Sequence, residues 1–347
     1  MADETSRWYD VLPDRDTSLS GRWDTDEFRA ELRDWCASVV GPITAMTQQK
    51  LRGWATVWRV ETADGVWFAK QNCPGQQVEA ALMTLLARLV PDRVVPVTAA
   101  GDGFLLTPDQ GEVFYETAGG DLENWVRLAR EAALLQRELV PHRAALVGLG
   151  MTQVSPEESA DYVAARVEQY AALAPGDPRR LAPDVAERLR AHLPVVRRWA
   201  EQVAALGLPL TLNHNDLHEN NVFDVDGRLL FFDFGDALVT EPLAVLLIPL
   251  NILGDKLNAA GDDPRLWRVV DAALEVWSDL VPTGELRAAL PAALQLGRIG
   301  RVESWVRCQP SLSDEQLVEW GPVAATWLGT LDADPPVLGS VSRQPWA

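Results

Sequence analysis

The first apolar residues of the chain recur with the period of a helix. Phe28, Leu32 and Trp35 fall on one helical face. Thr25 stands just before them, where its hydroxyl can cap the first turn. From residue 43 to residue 71 the period changes to two and β-forming residues dominate. The pattern therefore predicts a helix followed by a β-hairpin.

A second helix with two more strands is predicted next. Apolar residues recur at steps of three and four over residues 78–89, just after the helix-start signal Pro74-Gly75. Short apolar runs at residues 94–99 and 103–107 favour strands. The first hundred residues thus predict a small antiparallel sheet with one packed helix.

Helical periodicity dominates the rest of the chain. It predicts helices at residues 122–135, 162–173 and 185–206, and again from residue 242 to about 331. One exception lies between them, where two short β runs flank Asp226-Gly227, a strong hairpin-turn signal. We therefore expect an α+β fold in which a part with an antiparallel sheet precedes a mostly helical part.

Length and charge narrow the range of functions. The 347 residues correspond to ~2 folding units at roughly 150 residues each. Acidic residues outnumber basic ones by 50 to 31, which gives a net charge of −19. Such a field repels a nucleic-acid backbone, so we expect no nucleic-acid partner. It attracts small cations, although an acidic surface also serves solubility alone.

Cysteine usage and apolar stretches indicate the cytoplasm. The three cysteines are widely spaced and odd in number, which fits a reducing compartment better than a disulfide framework or a zinc site. Residues 1–22 lack the apolar core of a secretory signal. The longest apolar stretch, residues 243–253, is too short to span a bilayer. We therefore expect no membrane association.

The densest polar segment holds the candidate chemistry. It contains His214 and Asp216, then Asn221 and, after an apolar strand, Asp233-Phe234-Gly235. This order and spacing are typical of a phosphotransfer site. In-line phosphoryl transfer needs a carboxylate at the attacking hydroxyl and oxygen ligands for magnesium on the phosphates. Asp216 suits the first task, and Asn221 and Asp233 suit the second.

Two other interpretations of this segment stay open. Each polar residue by itself also fits a turn or cap role. Alternatively, His214, Asp216 and His218 stand at alternate positions, as the metal ligands of a hydrolase would. Such a site lacks a further histidine, because only His142 and His192 remain and both lie in segments with helical periodicity.

The sheet-rich part offers a cation for phosphate groups. Lys70 lies at the end of a predicted strand, and Glu79, nine residues later, can hold its ammonium group by a charge-assisted hydrogen bond. Gly53 and the hydroxyl of Thr56 are the best candidates for approaching the phosphates from the preceding turn. A solvent-facing ion pair and an ordinary turn are the alternatives for these four residues.

With these residues assembled, the chain resembles the aminoglycoside phosphotransferase and choline kinase-like family over roughly residues 40–330. Residues 214–221, Asp233-Phe234-Gly235-Asp236 and Phe68-Ala69-Lys70 with Glu79 carry the resemblance. The family consists of small-molecule kinases with a protein-kinase-like fold. The resemblance therefore implies a bilobal enzyme that uses Mg²⁺ and moves the γ-phosphate of ATP or GTP to a hydroxyl of a small molecule.

The resemblance also implies a role for each motif residue. Asp216 would be the catalytic base or hydroxyl-orienting residue, and Asn221 and Asp233 would hold magnesium. Lys70, paired to Glu79, would bind the nucleotide phosphates. The alternative is a nucleotide-binding regulatory protein that has lost transfer, and the presence of all these residues together argues against it.

The same resemblance divides the chain at an inter-lobe linker. Adenine would meet the main chain of residues 108–111, where the Pro108 carbonyl can accept a hydrogen bond and the Gln110 amide can donate one. The expected parts are a polar arm (1–22), an N-terminal nucleotide-binding lobe (23–107), the linker (108–111), a C-terminal catalytic and substrate lobe (112–331) and a loose tail (332–347).

The acceptor is expected between the metal loop and the C-terminal helices. Candidate contacts are Glu219, Asp236, Asp255 and residues 297–328. An acidic pocket would suit a cationic aminoglycoside, but similar kinases also phosphorylate choline, amino sugars and macrolides. The tryptophans of the last helices could wall such a pocket, although core packing is the better explanation for them. The sequence sets neither the acceptor nor the oligomeric state.

Overall fold

The computed structural model describes residues 7–118 and 121–338. Its strands are β1 (Ile43–Leu51), β2 (Ala55–Thr62), β3 (Val66–Asn72), β4 (Ala99–Gly101), β5 (Phe104–Pro108), β6 (Thr211–Asn213), β7 (Val222–Val225), β8 (Arg228–Phe231) and β9 (Leu238–Thr240). Its helices are α1 (Asp26–Val40), α2 (Val78–Leu89), α3 (Phe114–Ala118), α4 (Leu122–Leu139), α5 (Arg143–Gly148), α6 (Ser159–Ala172), α7 (Pro183–Ala204), α8 (Leu247–Leu257), α9 (Pro264–Leu274), α10 (Thr283–Cys308), α11 (Asp314–Trp320) and α12 (Val323–Gly329). The fold is α+β, with an antiparallel sheet in the N-terminal part and a helical C-terminal part.

The N-terminal lobe is built on a five-stranded antiparallel sheet. Its strand order is β1-β2-β3-β5-β4, so the predicted hairpin is part of a larger meander. Thr25 caps α1 as predicted, because its hydroxyl accepts a hydrogen bond from the Phe28 N–H at 3.2 Å. Phe28 and Leu32 pack with the buried side of the sheet. The predicted helix over residues 78–89 is confirmed as α2.

The predicted strand over residues 94–99 is wrong except at its last residue. Ala99 begins β4, whereas Val94 and Val95 run beside β8 of the other lobe. The Val95 N–H donates to Phe231 O at 3.1 Å, and the Phe231 N–H donates to Arg93 O at 2.8 Å. The backbone hydrogen bonds at Val94 and Val95 therefore connect the lobes, and the run meets the sheet only from Thr98, whose N–H donates to Leu106 O at 2.8 Å.

The C-terminal lobe packs its helices around α10. Most residues of this 26-residue helix are buried, and α4, α6 and α7 confirm the three predicted helices ahead of it. The predicted hairpin is confirmed as β7 and β8. Asp226 and Gly227 both have positive φ at its turn, as a two-residue hairpin turn of this sequence requires.

Both ends of the described chain are packed onto the lobes. The segment expected as a polar arm buries Tyr9, and the Gln169 amide donates to its carbonyl at 2.8 Å. Val337 of the expected loose tail is fully buried, and the Leu338 N–H donates to Gly261 O. The rest of that tail, residues 339–347, lies outside the described residues. No helix in the described ranges is long and apolar enough to cross a membrane.

Candidate active site

The loop after β6 places the predicted polar cluster. Asn215 has a left-handed backbone (φ 65°) that turns the chain sharply, and its N–H donates to Asn213 Oδ1 at 2.9 Å. His214 Nε2 lies 2.8 Å from Phe232 O, and its ring packs on Phe234 at 4.6 Å. Burial lowers the pKa of His214, so the ring is neutral and buttresses the loop.

Asp216 stands at the end of this turn with its carboxylate one-third exposed. Burial opposes its ionisation, but Arg301, His218 and His214 together outweigh that effect and hold the pKa of Asp216 below its ordinary value. Asn221 is tied to the same loop, because its amide nitrogen donates to Asp216 O at 3.0 Å. Because this bond uses the amide nitrogen, the side-chain carbonyl oxygen is the atom with which Asn221 can bind a ligand.

Lys70 of β3 joins the two lobes through two carboxylates. Its Nζ lies 2.6 Å from Glu79 Oε2 and 2.5 Å from Asp233 Oδ1. Glu79 is almost fully buried, and its Oε1 also accepts from the Phe234 N–H at 2.9 Å. Burial disfavours the charged ammonium, but Asp233 and Glu79 outweigh it and raise the pKa of Lys70. The pair predicted from the sequence therefore forms, and it is not solvent-facing.

Asp233 is held in a costly backbone conformation. Its φ of 60° lies in the left-handed region, which an aspartate adopts at a cost of about 1 kcal/mol. Burial opposes its ionisation, whereas Lys70 and Lys50 together outweigh burial and keep the pKa of Asp233 below its ordinary range. The position of Gly235 behind it is tight, since a Cβ there would lie 3.1 Å from Gln76 Oε1. The fold thus positions an ionised carboxylate at the cleft.

The donor set of these residues fits magnesium. Asp216 and Asp233 line one cleft between the lobes together with Lys70, and Asn221 is bonded to the loop of Asp216. Carboxylate and amide oxygens are the ligands that a hard divalent cation prefers. In the described ranges no group of three His, Cys, Asp or Glu side chains could hold a metal ion. The His214, Asp216 and His218 set of the hydrolase interpretation therefore has no such geometry.

A comparison with sequence families decides what kind of protein this is. The profile of the Phosphotransferase enzyme family (APH) matches residues 48–283, which is more than half of the 347 residues. The chain belongs to this family. This phosphotransferase therefore takes an alcohol group as its acceptor. No curated protein sequence matches the chain.

Solved structures confirm the protein-kinase-like fold of this phosphotransferase. An ethanolamine kinase from Plasmodium vivax is similar, with 13% identity, a TM-score of 0.59 and coverage of 86% of this chain and 85% of that one. Macrolide 2'-phosphotransferase type I has 16% identity and a TM-score of 0.57, over 85% and 96% of the two chains. The GDP complex of wild-type aminoglycoside 2'-phosphotransferase-IIIa has 13% identity and a TM-score of 0.56, over 88% and 99%.

Two predicted phosphate-contacting residues, Gly53 and Thr56, are not among the residues that line the cleft of this phosphotransferase. The Thr56 hydroxyl is fully buried, donating to Lys50 O and accepting from the Gln48 amide. Gly53 packs against the C-terminal lobe, where an added Cβ would lie 2.5 Å from Leu312 Cδ2. The turn between β1 and β2 is therefore folded down onto α11 and its preceding loop.

The predicted linker residues lie at the end of β5. Pro108 is its last residue, and the Gln110 amide turns back to donate to Pro108 O at 3.2 Å. The Asp109 N–H donates to Val66 O at 3.0 Å. The Gln110 amide thus serves the local turn, and the backbone of Pro108 lies where the chain leaves the sheet.

The candidate acceptor residues separate into two groups. Asp236 lines the cleft, and its Oδ1 accepts from the Gln76 amide at 2.6 Å. Glu219 is buried and forms an ion pair with Lys256, while Asp255 is exposed on the last turn of α8. The structure therefore brings only Asp236 of these three to the cleft that holds Asp216.

Helix α10 contributes to the cleft residues of the candidate range 297–328, which the sequence did not rank. Arg301 and Trp305 lie one turn apart on this helix, and Trp54 of the β1–β2 turn contacts the Trp305 ring edge to face at 5.2 Å. Trp305 also stacks on Trp320 at 5.7 Å. The sequence could not rank them within that range, because α10 has buried residues on all sides. Trp54 and Trp305 therefore line one side of the cleft, and Trp320 packs against both rings.

Proposed function

We propose that this phosphotransferase moves the γ-phosphoryl group of ATP or GTP to a hydroxyl of a small molecule, with Mg²⁺ as cofactor. Asp216 accepts or orients the hydroxyl proton, and Lys70 binds the nucleotide phosphates while Glu79 restrains it. Asn221 and Asp233 hold the metal, which neutralises charge on the phosphate oxygens when bound. The likeness to a GDP complex supports nucleotide use.

One observation carries this proposal. Lys70 and Glu79 come from the N-terminal lobe and Asp233 from the C-terminal lobe, yet Lys70 contacts both carboxylates within 2.6 Å. Asp216 faces the same cleft as an ionised carboxylate. Phosphoryl transfer needs a cation, a metal-binding carboxylate and a base around one point. The cleft supplies all three.

The acceptor and the location in the cell belong to the same proposal. The overall charge of −19 favours a cationic acceptor such as an aminoglycoside. Arg301 and Lys50 offset part of this charge at the cleft itself, so neutral hydroxyl compounds are candidates of equal standing. All three thiols are free and buried, which suits the reducing cytoplasm.

A screen of hydroxyl compounds tests the proposal. Aminoglycosides, macrolides, choline, ethanolamine and neutral sugars are each added to the enzyme with MgATP or MgGTP, and nucleoside diphosphate release is measured. We expect at least one acceptor to accelerate release and to carry the phosphate in a ³¹P spectrum, and EDTA to abolish the reaction. Hydrolysis that no acceptor accelerates would contradict transfer and favour a nucleotide-binding regulatory protein.

A further inference from the structure

We propose that Arg301 is a positioning residue for Asp216. Its guanidinium fixes the carboxylate in the orientation from which it meets the acceptor hydroxyl. The inference rests on the proposed function, since Asp216 is the base only if the chain transfers a phosphoryl group. It adds a residue from α10, far in sequence from the loop of residues 214–221, to the machinery of the cleft.

The contacts of Arg301 converge on the loop of Asp216. Its Nη1 donates to Asn215 O at 2.8 Å and to Asp236 Oδ2 at 3.0 Å. The same nitrogen lies 3.1 Å from Asp216 Oδ1 as an ion pair. The guanidinium side chain is only 9% exposed, whereas that of Asp216 is 33% exposed. Arg301 thus holds Asp216 from the protein side and leaves the solvent side free for an acceptor.

The helix that carries Arg301 is fixed against the same loop. Gly300 approaches so closely that an added Cβ would lie 2.6 Å from Asn215 Oδ1. The Asn215 amide donates to Gly300 O at 2.9 Å and to Ser304 Oγ at 2.7 Å. Because α10 cannot slide along the loop without breaking these bonds, the guanidinium has a defined position relative to Asp216.

Charge explains why the position of Asp216 depends on this contact. Asp216 and Asp236 both contact the single Nη1, so two carboxylates share one cation. Without that cation they repel each other in a partly buried site, and the more exposed Asp216 is the one free to turn away. A displacement of about 1 Å at a reacting group can cost about 100-fold in rate. Turnover therefore depends on the guanidinium.

A matched control stands one turn earlier on the same helix. Arg298 is as buried as Arg301, with exposures of 6% and 7% for the whole residues. It donates to Asp334 O at 2.8 Å and to Thr330 O, both remote from the cleft. Arg298→Met therefore removes a buried arginine from α10 without touching Asp216.

The kinetic test compares Arg301→Met, Arg301→Lys and Arg298→Met with the acceptor that the screen identifies. For Arg301→Met we expect kcat to fall by about 10- to 100-fold while the nucleotide Kd changes by less than about twofold. Arg301→Lys restores part of kcat because it restores the charge. Arg298→Met keeps kcat within about threefold of the wild type, even if its unfolding midpoint falls as much as that of Arg301→Met. Unchanged kcat in Arg301→Met, or an equal loss in Arg298→Met, overturns the inference.

A structural readout separates this inference from the proposed function. In crystal structures we expect the Asp216 carboxylate to be rotated in Arg301→Met and unmoved in Arg298→Met. An unmoved carboxylate in both overturns the positioning role even in an active enzyme. If the wild-type enzyme transfers phosphate to no acceptor, the proposed function fails and the catalytic role of Arg301 fails with it. Should Arg301→Met not fold, Arg301→Gln, which keeps an amide donor for Asn215 O, is judged by the same criteria.

Discussion

At the residue scale, Lys70 pairs with a carboxylate of each lobe, and we propose that the same ammonium group binds the nucleotide phosphates. Lys70→Met leaves the buried Glu79 carboxylate beside Asp233 without a cation. We expect the free energy of unfolding to fall by about 3 kcal/mol, as it does when one partner of a buried pair is removed, and nucleotide affinity to fall with it. Urea denaturation and nucleotide titration measure both quantities. Arg143→Met removes a positive charge from an exposed position outside the residues that line the cleft and is the control, expected within about 0.5 kcal/mol of wild type.

A second residue-scale prediction concerns pH. Burial raises the pKa of Glu241 to about 8, and its Oε1 has no hydrogen-bond partner in the part of the chain that the structure describes. The folded protein thus keeps a proton that the unfolded chain releases above its ordinary pKa of 4.5. Its contribution to stability is fully present below pH 4.5 and is lost as the pH rises to 8, at about 1.4 kcal/mol per pH unit.

Glu241→Gln tests this dependence, because the amide stays neutral and still accepts from the Leu243 N–H. Urea midpoints of both proteins are measured at pH 5, 6.5 and 8. We expect the wild type to lose more stability than the variant across this range. Parallel profiles would show that Glu241 is ionised in the folded protein.

The site residues that the sequence could predict all lie in short local motifs. Asp216 and Asn221 share one loop, and the turn chemistry around them marks that loop before any contact is known. Arg301 could not be found in this way, because its partner lies 85 residues earlier and its helix has apolar residues on every side. The hydrogen bonds of the Thr56 hydroxyl could not be predicted either, since only the pairing of β1 with β2 brings it to Lys50 O and the Gln48 amide.

At the element scale, the turn before α2 abuts α10 across the lobe boundary. A Cβ on Gly75 would lie 2.0 Å from the carbonyl oxygen of Arg307. Backbone on both sides cannot yield, so we expect Gly75→Ala to cost at least about 1–3 kcal/mol and to weaken nucleotide binding by shifting the lobes. Chemical denaturation and nucleotide titration measure the two effects.

Gly148→Ala is the control for this substitution. Gly148 is exposed at the end of α5, and an added Cβ there meets nothing within 4 Å. The same change should be neutral or slightly stabilising, because alanine restricts the unfolded chain. Equal stability of Gly75→Ala and wild type would contradict the close contact between the two elements.

Elements with strong local signals were predictable, and those defined by distant partners were not. The β7–β8 hairpin follows from Asp226-Gly227 alone, since both residues have the positive φ that the turn needs. Val94 and Val95 have the same apolar character as a strand, but they pair with β8 and not with the sheet. The period and composition of an apolar run do not show whether it joins the sheet of its own lobe or pairs with a strand of the other lobe.

At the scale of the whole molecule, residues 7–23 connect the lobes a second time. Tyr9 is buried in the C-terminal lobe against Tyr162 at 5.5 Å, and Trp23 is buried in the N-terminal lobe, where its Nε1 donates to Gln71 at 2.7 Å. Between them, the Ser20 hydroxyl donates to Ser311 O at 2.6 Å. We expect Tyr9→Ala to lower the free energy of unfolding by about 3–5 kcal/mol and to speed hydrogen exchange over residues 7–23.

Val11→Ala in the same segment provides the comparison, because Val11 is 73% exposed. Its unfolding free energy should stay within about 0.5 kcal/mol of wild type. Slow exchange over residues 7–23 in both variants would show that the segment is held without Tyr9. The sequence predicted only a polar arm here, since isolated aromatic residues have no period from which packing can be inferred.

We propose that phosphoryl transfer at the cleft that Lys70 and Asp233 share depends on the carboxylate of Asp216. The most direct test of this proposal is the acceptor-stimulated turnover of Asp216→Asn, which keeps the size of the side chain and removes its charge, with Asp255→Asn at an exposed site as control. We expect Asp216→Asn to lose roughly 10²–10⁴-fold in kcat and to bind nucleotide as the wild type does. We expect the control Asp255→Asn to keep the kcat of the wild type. Near-normal turnover of Asp216→Asn would contradict the proposal.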